Sequence, residues 1–209
     1  MVAAVMFLGV AAEMVAWWAV GPHGTRVWLV MGLTLPAMGV AAVIAGPLSL
    51  SPAVALGLAA PAGVAAGVAL YLATREFMEV VRGWRVFHQQ SAEIYARRGG
   101  LPLWAVVVFA PGLIVAGEEL FWRGLFQAHL TDALDGRAAG AAATWLAFAA
   151  VNLASRNLAI IAGAVVGGAV WAALAWWTGG VLASLLCHSV WTALMLSFPV
   201  NRFPARETT

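Results

Sequence analysis

The sequence predicts an all-α protein, a polytopic integral membrane helical bundle of about seven transmembrane helices plus one amphipathic interfacial helix. Three observations carry this. Of the 209 residues 63% are hydrophobic and only 10% charged, where a soluble domain has about 25% charged residues. Mean hydropathy is +0.91. Seven apolar stretches approach the ~20 residues that a spanning helix needs. Eleven Trp and 22 Gly fit the same class, since Trp gathers at the membrane interface and small residues let membrane helices approach closely.

The stretches are Val2–Val20, Val27–Ala45, Pro52–Ala73, Leu101–Ala128, Ala138–Ala154, Leu158–Trp177 and Val181–Phe198. The first lacks a basic leader and a polar cleavage region, so it reads as a retained helix and not a signal peptide. The fourth is long, and Pro111-Gly112 marks a kink within it. The fifth is short. Between the third and fourth lies the polar segment Thr74–Gly100. Its apolar residues Phe77, Val80, Val81, Trp84 and Phe87 recur at helical spacing, with Arg75, Arg82 and Arg85 between them. This is the pattern of an amphipathic helix on a membrane surface. Neither an internal repeat nor a second domain is evident, so residues 1–209 read as a single membrane domain.

Positive charge orients the bundle. With 74–100 on the cytoplasmic side, Arg26, Arg75, Arg82, Arg85, Arg97, Arg98, Arg156, Arg202 and Arg206 all lie inside, and Arg137 alone lies outside. The expectation is an outer N-terminus and a cytoplasmic C-terminus. Every basic residue is Arg and Lys is absent. This Ala/Gly/Arg-rich composition points to a bacterial protein of the inner (plasma) membrane. The pI of 9.3 arises from two excess charges, which does not suggest nucleic-acid binding. A lone Cys187 excludes an internal disulfide and any CxxC metal site.

Ionisable residues inside a bilayer cost a few kcal/mol each and need a reason. The segment Gly117–Gly124 reads GEELFWRG and holds three of them. Glu119 and Arg123 are i,i+4 neighbours that can pair. Glu118 points about 100° away from Glu119 and is left to do something else. Other embedded polar residues are Glu13, Asn152, His188 and Thr192. His188 and Thr192 share one helix face; either they hydrogen-bond neighbouring helices or they belong to a site. Glu13 reads as a buried hydrogen-bonding residue, a channel-lining group or part of a turn that is not fully inserted. His23, His88 and His129 sit at helix ends or in loops, where a solvated or interfacial histidine is expected. Counted at 1.5 Å per residue, Glu118 and His188 lie roughly 15 Å and 12 Å from the outer ends of their helices. Both fall in the outer half, with Asn152 roughly a turn deeper.

The order EExxxR, FxxxH, then HxxxN or HxxxD on successive helices is the pattern that these residues resemble. It belongs to the CPBP family of intramembrane proteases (CAAX protease and bacteriocin-processing, also called Abi), which includes the type II CAAX prenyl endopeptidases. Here the first motif is Glu118-Glu119-Leu120-Phe121-Trp122-Arg123. The second is Phe148-Ala149-Ala150-Val151-Asn152, with Asn in place of His. The third is His188-Ser189-Val190-Trp191-Thr192, with Thr in place of Asn or Asp. The likeness covers roughly residues 101–198.

The resemblance implies peptide-bond hydrolysis in or at the membrane by a glutamate-activated water. Glu118 would be the general base, His188 would assist or orient the water, and Asn152 and Thr192 would support the oxyanion. Glu119 and Arg123 would hold the frame. An apolar surround makes a carboxylate a stronger base near neutral pH. Both departures keep hydrogen-bonding capacity but remove a metal ligand. One Glu and one His are too few for the usual three protein ligands of zinc. No metal and no other cofactor is expected.

The expected partners are the lipid bilayer and a membrane-associated protein or prepeptide substrate, with no nucleic acid and no oligomeric state assigned. A CAAX substrate does not suit a bacterial composition, and the depth estimate suggests a site nearer the outer face. One alternative is a catalytically impaired member acting as a membrane scaffold or immunity-type binding protein. A transporter is disfavoured because no half-helix pair or inverted repeat is evident. A cysteine transpeptidase is disfavoured because Cys187 faces away from His188.

Overall fold

In the computed structural model, residues 1–23, 27–96 and 102–200 are described. Among them every regular element is helical: α1 Val2–His23, α2 Val27–Ala45, α3 Leu56–Val80, α4 Arg85–Ala96, α5 Leu103–Phe109, α6 Val115–Glu119, α7 Gln127–Ala133, α8 Arg137–Asn152, α9 Leu158–Thr178 and α10 Val181–Ser197. Among the described residues six helices are long and apolar enough to cross a membrane, and the 17-residue α10 is a shorter apolar helix. Large apolar side chains such as Phe7, Leu33, Ile44 and Val108 are turned outward. That is the arrangement of a multi-pass membrane protein, whose perimeter meets lipid.

The fourth span is one continuous column, Leu103–Ala133. Within it α5, α6 and α7 are joined by two π-helical segments, Ala110–Ile114 and Leu120–Phe126. The backbone N–H of Val115 bonds to the carbonyl of Ala110, and that of Gln127 to Trp122, each five residues back. The kink expected at Pro111-Gly112 is thus a widened turn, consistent with Pro111 having no N–H to donate. This column packs against α1, α2, α8 and α10 and forms the axis of the bundle.

Close crossings set the packing. A Cβ on Gly39 of α2 would lie 2.6 Å from Gly117 Cα, one residue before Glu118. On α3, Gly63 and Gly67 face α10, and a Cβ on Gly67 would lie 2.7 Å from the Cys187 carbonyl. Such small-xxx-small spacing lets two backbones touch without a hydrophobic driving force.

Several boundaries differ from expectation. Helix α3 begins at Leu56, because Pro52–Ala55 is held by the Ala53 N–H to Thr178 carbonyl bond. It runs on to Val80 and absorbs the first part of 74–100. The amphipathic helix is therefore only Arg85–Ala96, with the Phe77 and Phe87 rings 5.6 Å apart across the intervening turn. His88 is buried, not solvated, since α4 turns Phe87, His88, Ser91 and Ala92 inward; His129 is exposed as expected. The column continues past Ala128 through the polar His129 and Asp132. Glu118 consequently stands midway between the column's ends and not in one half of it. Arg26, Arg97, Arg98, Leu101, Arg202 and Arg206 lie outside the described residues.

Substituting Gly67→Val should overpack the α3–α10 crossing and cost about 1–3 kcal/mol, seen as a lower unfolding temperature in detergent. Gly57→Ala, where an added Cβ meets nothing within 4 Å, should leave it unchanged.

Candidate active site

Glu119 and Arg123 form the ion pair expected of their spacing, Nη1 to Oε1 at 3.1 Å with both side chains sealed from solvent. Burying two charges costs several kcal/mol per ion unless each is further satisfied. Here the satisfaction is extensive. Glu119 Oε1 also meets His188 Nδ1 at 3.0 Å, and Ser184 Oγ donates to Oε2. Arg123 Nη2 donates to the Gly168 carbonyl at 3.4 Å. Its guanidinium lies 4.6 Å over the Phe148 ring and 5.4 Å from that of Trp171, within cation–π range.

His188 is fixed from three sides. Its ring stacks on Trp171 with centroids 3.5 Å apart and planes 15° apart. Nδ1 faces Glu119, and Nε2 lies 3.9 Å from Glu118 Oε2. A carboxylate paired with Arg123 can only accept, so Nδ1 carries the hydrogen toward Glu119. In the neutral ring Nε2 is then the free acceptor, and it points to Glu118. The 3.9 Å gap is too long for a direct hydrogen bond and of a size that one bridging water spans.

Glu118, Asn152, His188 and Thr192 line one cavity of about 550 Å³. Its walls are otherwise largely apolar, with Trp17, Met31, Leu70 and Ile114 among them. Asn152 is the last residue of α8 and donates Nδ2–H to the Phe148 carbonyl at 2.9 Å. Its second N–H and its Oδ1 remain for the cavity. Asn152 lines the cavity despite the turn of extra depth expected from residue counting. Glu119 and Arg123 stand behind the wall and do not line it. The cavity extends from Glu118 past Thr74 and Phe77 to Phe87, Ser91 and Ile94. It runs toward the α4 end of the bundle, opposite to the outer-end position suggested by counting residues. The count had ended the column at Ala128, too early.

The donor set at the cavity wall falls short of a zinc site. Glu118 and His188 Nε2 are two candidate ligands; His188 Nδ1 is held by Glu119, and Asn152 and Thr192 are poor ligands. Among the described residues no three His, Cys, Asp or Glu gather as a metal-binding group.

Ser184 and Trp171 were not anticipated. Ser184 lies four residues before His188 on α10, so a shared helix face was the available signal. Nothing in sequence spacing announces that Trp171 of α9 stacks on His188.

Fold and site together define a multi-pass helical membrane protein with a buried carboxylate–histidine centre. Residues 99–194 match the family model of type II CAAX prenyl endopeptidase Rce1-like proteins, and the resemblance to the CPBP and CAAX proteases is borne out over that stretch. No curated protein and no solved structure matches the chain.

Arg123→Met should leave Glu119 uncompensated in the core and cost about 3–5 kcal/mol. Ser184→Ala, which removes one of several donors, should cost about 1–3 kcal/mol. Chemical unfolding in micelles measures both.

Proposed function

We propose that the protein is an intramembrane endopeptidase that hydrolyses a peptide bond of a membrane-associated protein or prepeptide. The observation that carries this reading is that Glu118, Asn152, His188 and Thr192 line a single cavity, with His188 Nε2 facing Glu118. It is supported by the match of residues 99–194 to a prenyl endopeptidase family. In this reading a water between Glu118 and His188 Nε2 gives a proton to Glu118 as its oxygen attacks the scissile carbonyl. His188, aimed by Glu119 and Trp171, accepts a hydrogen bond from that water and sets its direction of approach. Asn152 N–H and Thr192 O–H donate to the oxyanion. Glu118 then returns the proton to the leaving amine. No metal is assigned, since the residues facing the cavity supply too few ligands.

An extended peptide must enter through the apolar cavity, which suits a substrate delivered from the bilayer or its surface. The composition supports a bacterial inner-membrane location, and the arginine distribution supports an outer N-terminus and a cytoplasmic C-terminus. With that orientation the cavity opens toward the cytoplasmic side. The departures at Asn152 and Thr192 favour one second reading, an impaired member that binds a peptide in this groove without cleaving it.

The two readings separate in a host membrane proteome analysed for new protein N-termini. Wild-type protein should generate such termini, and Glu118→Gln should reduce them by about 10²–10⁴-fold. Termini equal in Glu118→Gln and wild type would remove Glu118 from the chemistry, and none in either would favour the binding protein. Asn152→Ala should slow cleavage by about 10²–10³-fold if Asn152 holds the oxyanion. Chelating agents should leave cleavage unchanged; inhibition that added zinc reverses would overturn the metal-free assignment.

A further inference from the structure

We propose that Trp191 is a specificity-determining residue, an aromatic bar pinned across the cavity that admits only a small group to Glu118. This rests on the reading of Glu118 as the water-activating base. It deepens that reading by naming the substrate class: peptides with small side chains, such as Gly, Ala or Ser, beside the scissile bond. Trp191 belongs to α10 and lines the cavity together with His188 and Thr192. Its indole Nε1 donates to Thr74 Oγ1 of α3 at 3.1 Å. The far edge of the ring faces α9, where a Cβ on Gly163 would lie 3.6 Å from Cη2. The indole thus reaches from α3 to α9. Trp171 of α9 braces it on the side of the reactive centre, with ring centroids 5.7 Å apart and planes at 62°.

Three helices agree on the depth of this bar. On α10, Trp191 stands between His188 and Met195, and all three line the cavity. On α9, Gly163 stands between Leu158, whose N–H bonds to Gln90 Oε1 of α4, and Trp171, which stacks on His188. On α3, Thr74 stands between Gly67, which packs against Cys187 and Val190, and Phe77, whose ring meets Phe87 of α4. A group that travels from the α4 end of the cavity to Glu118 therefore passes the indole just before it meets His188. Thr192, the next residue, is the proposed oxyanion donor, so the ring stands beside the carbonyl under attack and meets the side chain next to it.

A ring held at two edges cannot swing aside without losing a partner. The Thr74 hydroxyl has one proton and two lone pairs. It gives the proton to the Leu70 carbonyl at 2.8 Å, which leaves a lone pair for the Trp191 N–H. Thr74 is a positioning residue that acts through Trp191. A bond that served only to satisfy the indole would cost stability when lost and leave size selectivity untouched. A pinned filter changes its size selectivity when the pin is removed.

The test measures which thiol reagents reach position 118 of the full chain in lipid nanodiscs. The single native cysteine is removed with Cys187→Ala, and a thiol is placed at the centre with Glu118→Cys. Methyl methanethiosulfonate and its benzyl analogue are the probes, and the ratio of their rates cancels the reactivity of the thiol itself. With Trp191 in place the benzyl reagent should react at least about tenfold more slowly, as when one ring is forced past another. Trp191→Ala should bring the two rates together. Thr74→Val should do so in part, and Thr74→Ser should restore the difference. Equal rates with Trp191 in place, or a ratio unchanged by Trp191→Ala, overturn the filter; a ratio unchanged by Thr74→Val overturns its pin. If Trp191→Ala does not fold, Trp191→Phe keeps a ring without the indole N–H and should match Thr74→Val; a wild-type ratio in it overturns the proposal. No labelling by the methyl reagent in any variant overturns the route past Trp191. These readings need no peptide to be cleaved. Cleavage is followed separately through new protein N-termini, which in wild type should arise beside Gly, Ala or Ser. Trp191→Ala should add sites flanked by Leu, Met or Phe, and an unchanged set of sites overturns the filter. Wild type without new termini sinks the endopeptidase reading alone, and the labelling ratio still decides the filter.

Discussion

The buried carboxylate of Glu119 is the interaction on which the site depends. It is paired with Arg123 of its own helix, accepts from Ser184, and takes the Nδ1 hydrogen of His188. Each partner reduces the cost of keeping a charge in an apolar bundle, and together they join the central column to α10. Removing any one leaves the others facing an unsatisfied group, so the arrangement is cooperative in the sense of a buried polar network. Its by-product is orientation. With Nδ1 committed, His188 has a single free nitrogen, and that nitrogen faces Glu118.

The two adjacent glutamates are alike in sequence and opposite in circumstance. Glu119 is surrounded by donors and a guanidinium, whereas Glu118 meets a cavity and the far side of an imidazole. The aromatic layer enforces this difference. Phe148 and Trp171 cover Arg123 and Trp171 stacks on His188, so the cation is held beside Glu119. Placing these groups on a column with π turns, rather than on loops, gives them a rigid mount. It also widens the helix where the motif must present side chains in more than one direction.

The bundle itself was legible in the sequence because hydrophobic length is a strong signal. The EExxxR motif was legible because helical spacing alone makes Glu119 and Arg123 neighbours. Boundaries were less so: polar residues such as His129 and Asp132 end a hydropathy run without ending a helix, and Thr74–Val80 continues α3 although its composition turns polar. The Gln90 and Asn157 contacts that dock α4 onto the start of α9 had no pattern to announce them. Glu13 was visible as an anomaly, but nothing along the chain could say which of its possible uses applied.

By itself, then, the sequence determined that the chain is a helical membrane protein and that Glu118, Glu119, Arg123, Asn152, His188 and Thr192 are its chemically exceptional residues. Spacing within one helix and hydrophobic length are local properties, and both are written along the chain. Only the tertiary structure decided that His188 faces both glutamates, that Trp171 and Ser184 hold the centre, that the cavity runs toward α4, and that Glu13 of α1 accepts from Trp122 of the column. Those relations join α1, the central column, α8, α9 and α10. They follow from how closely the helices cross, through glycines such as Gly39, Gly67 and Gly117, and that packing has no period in the sequence.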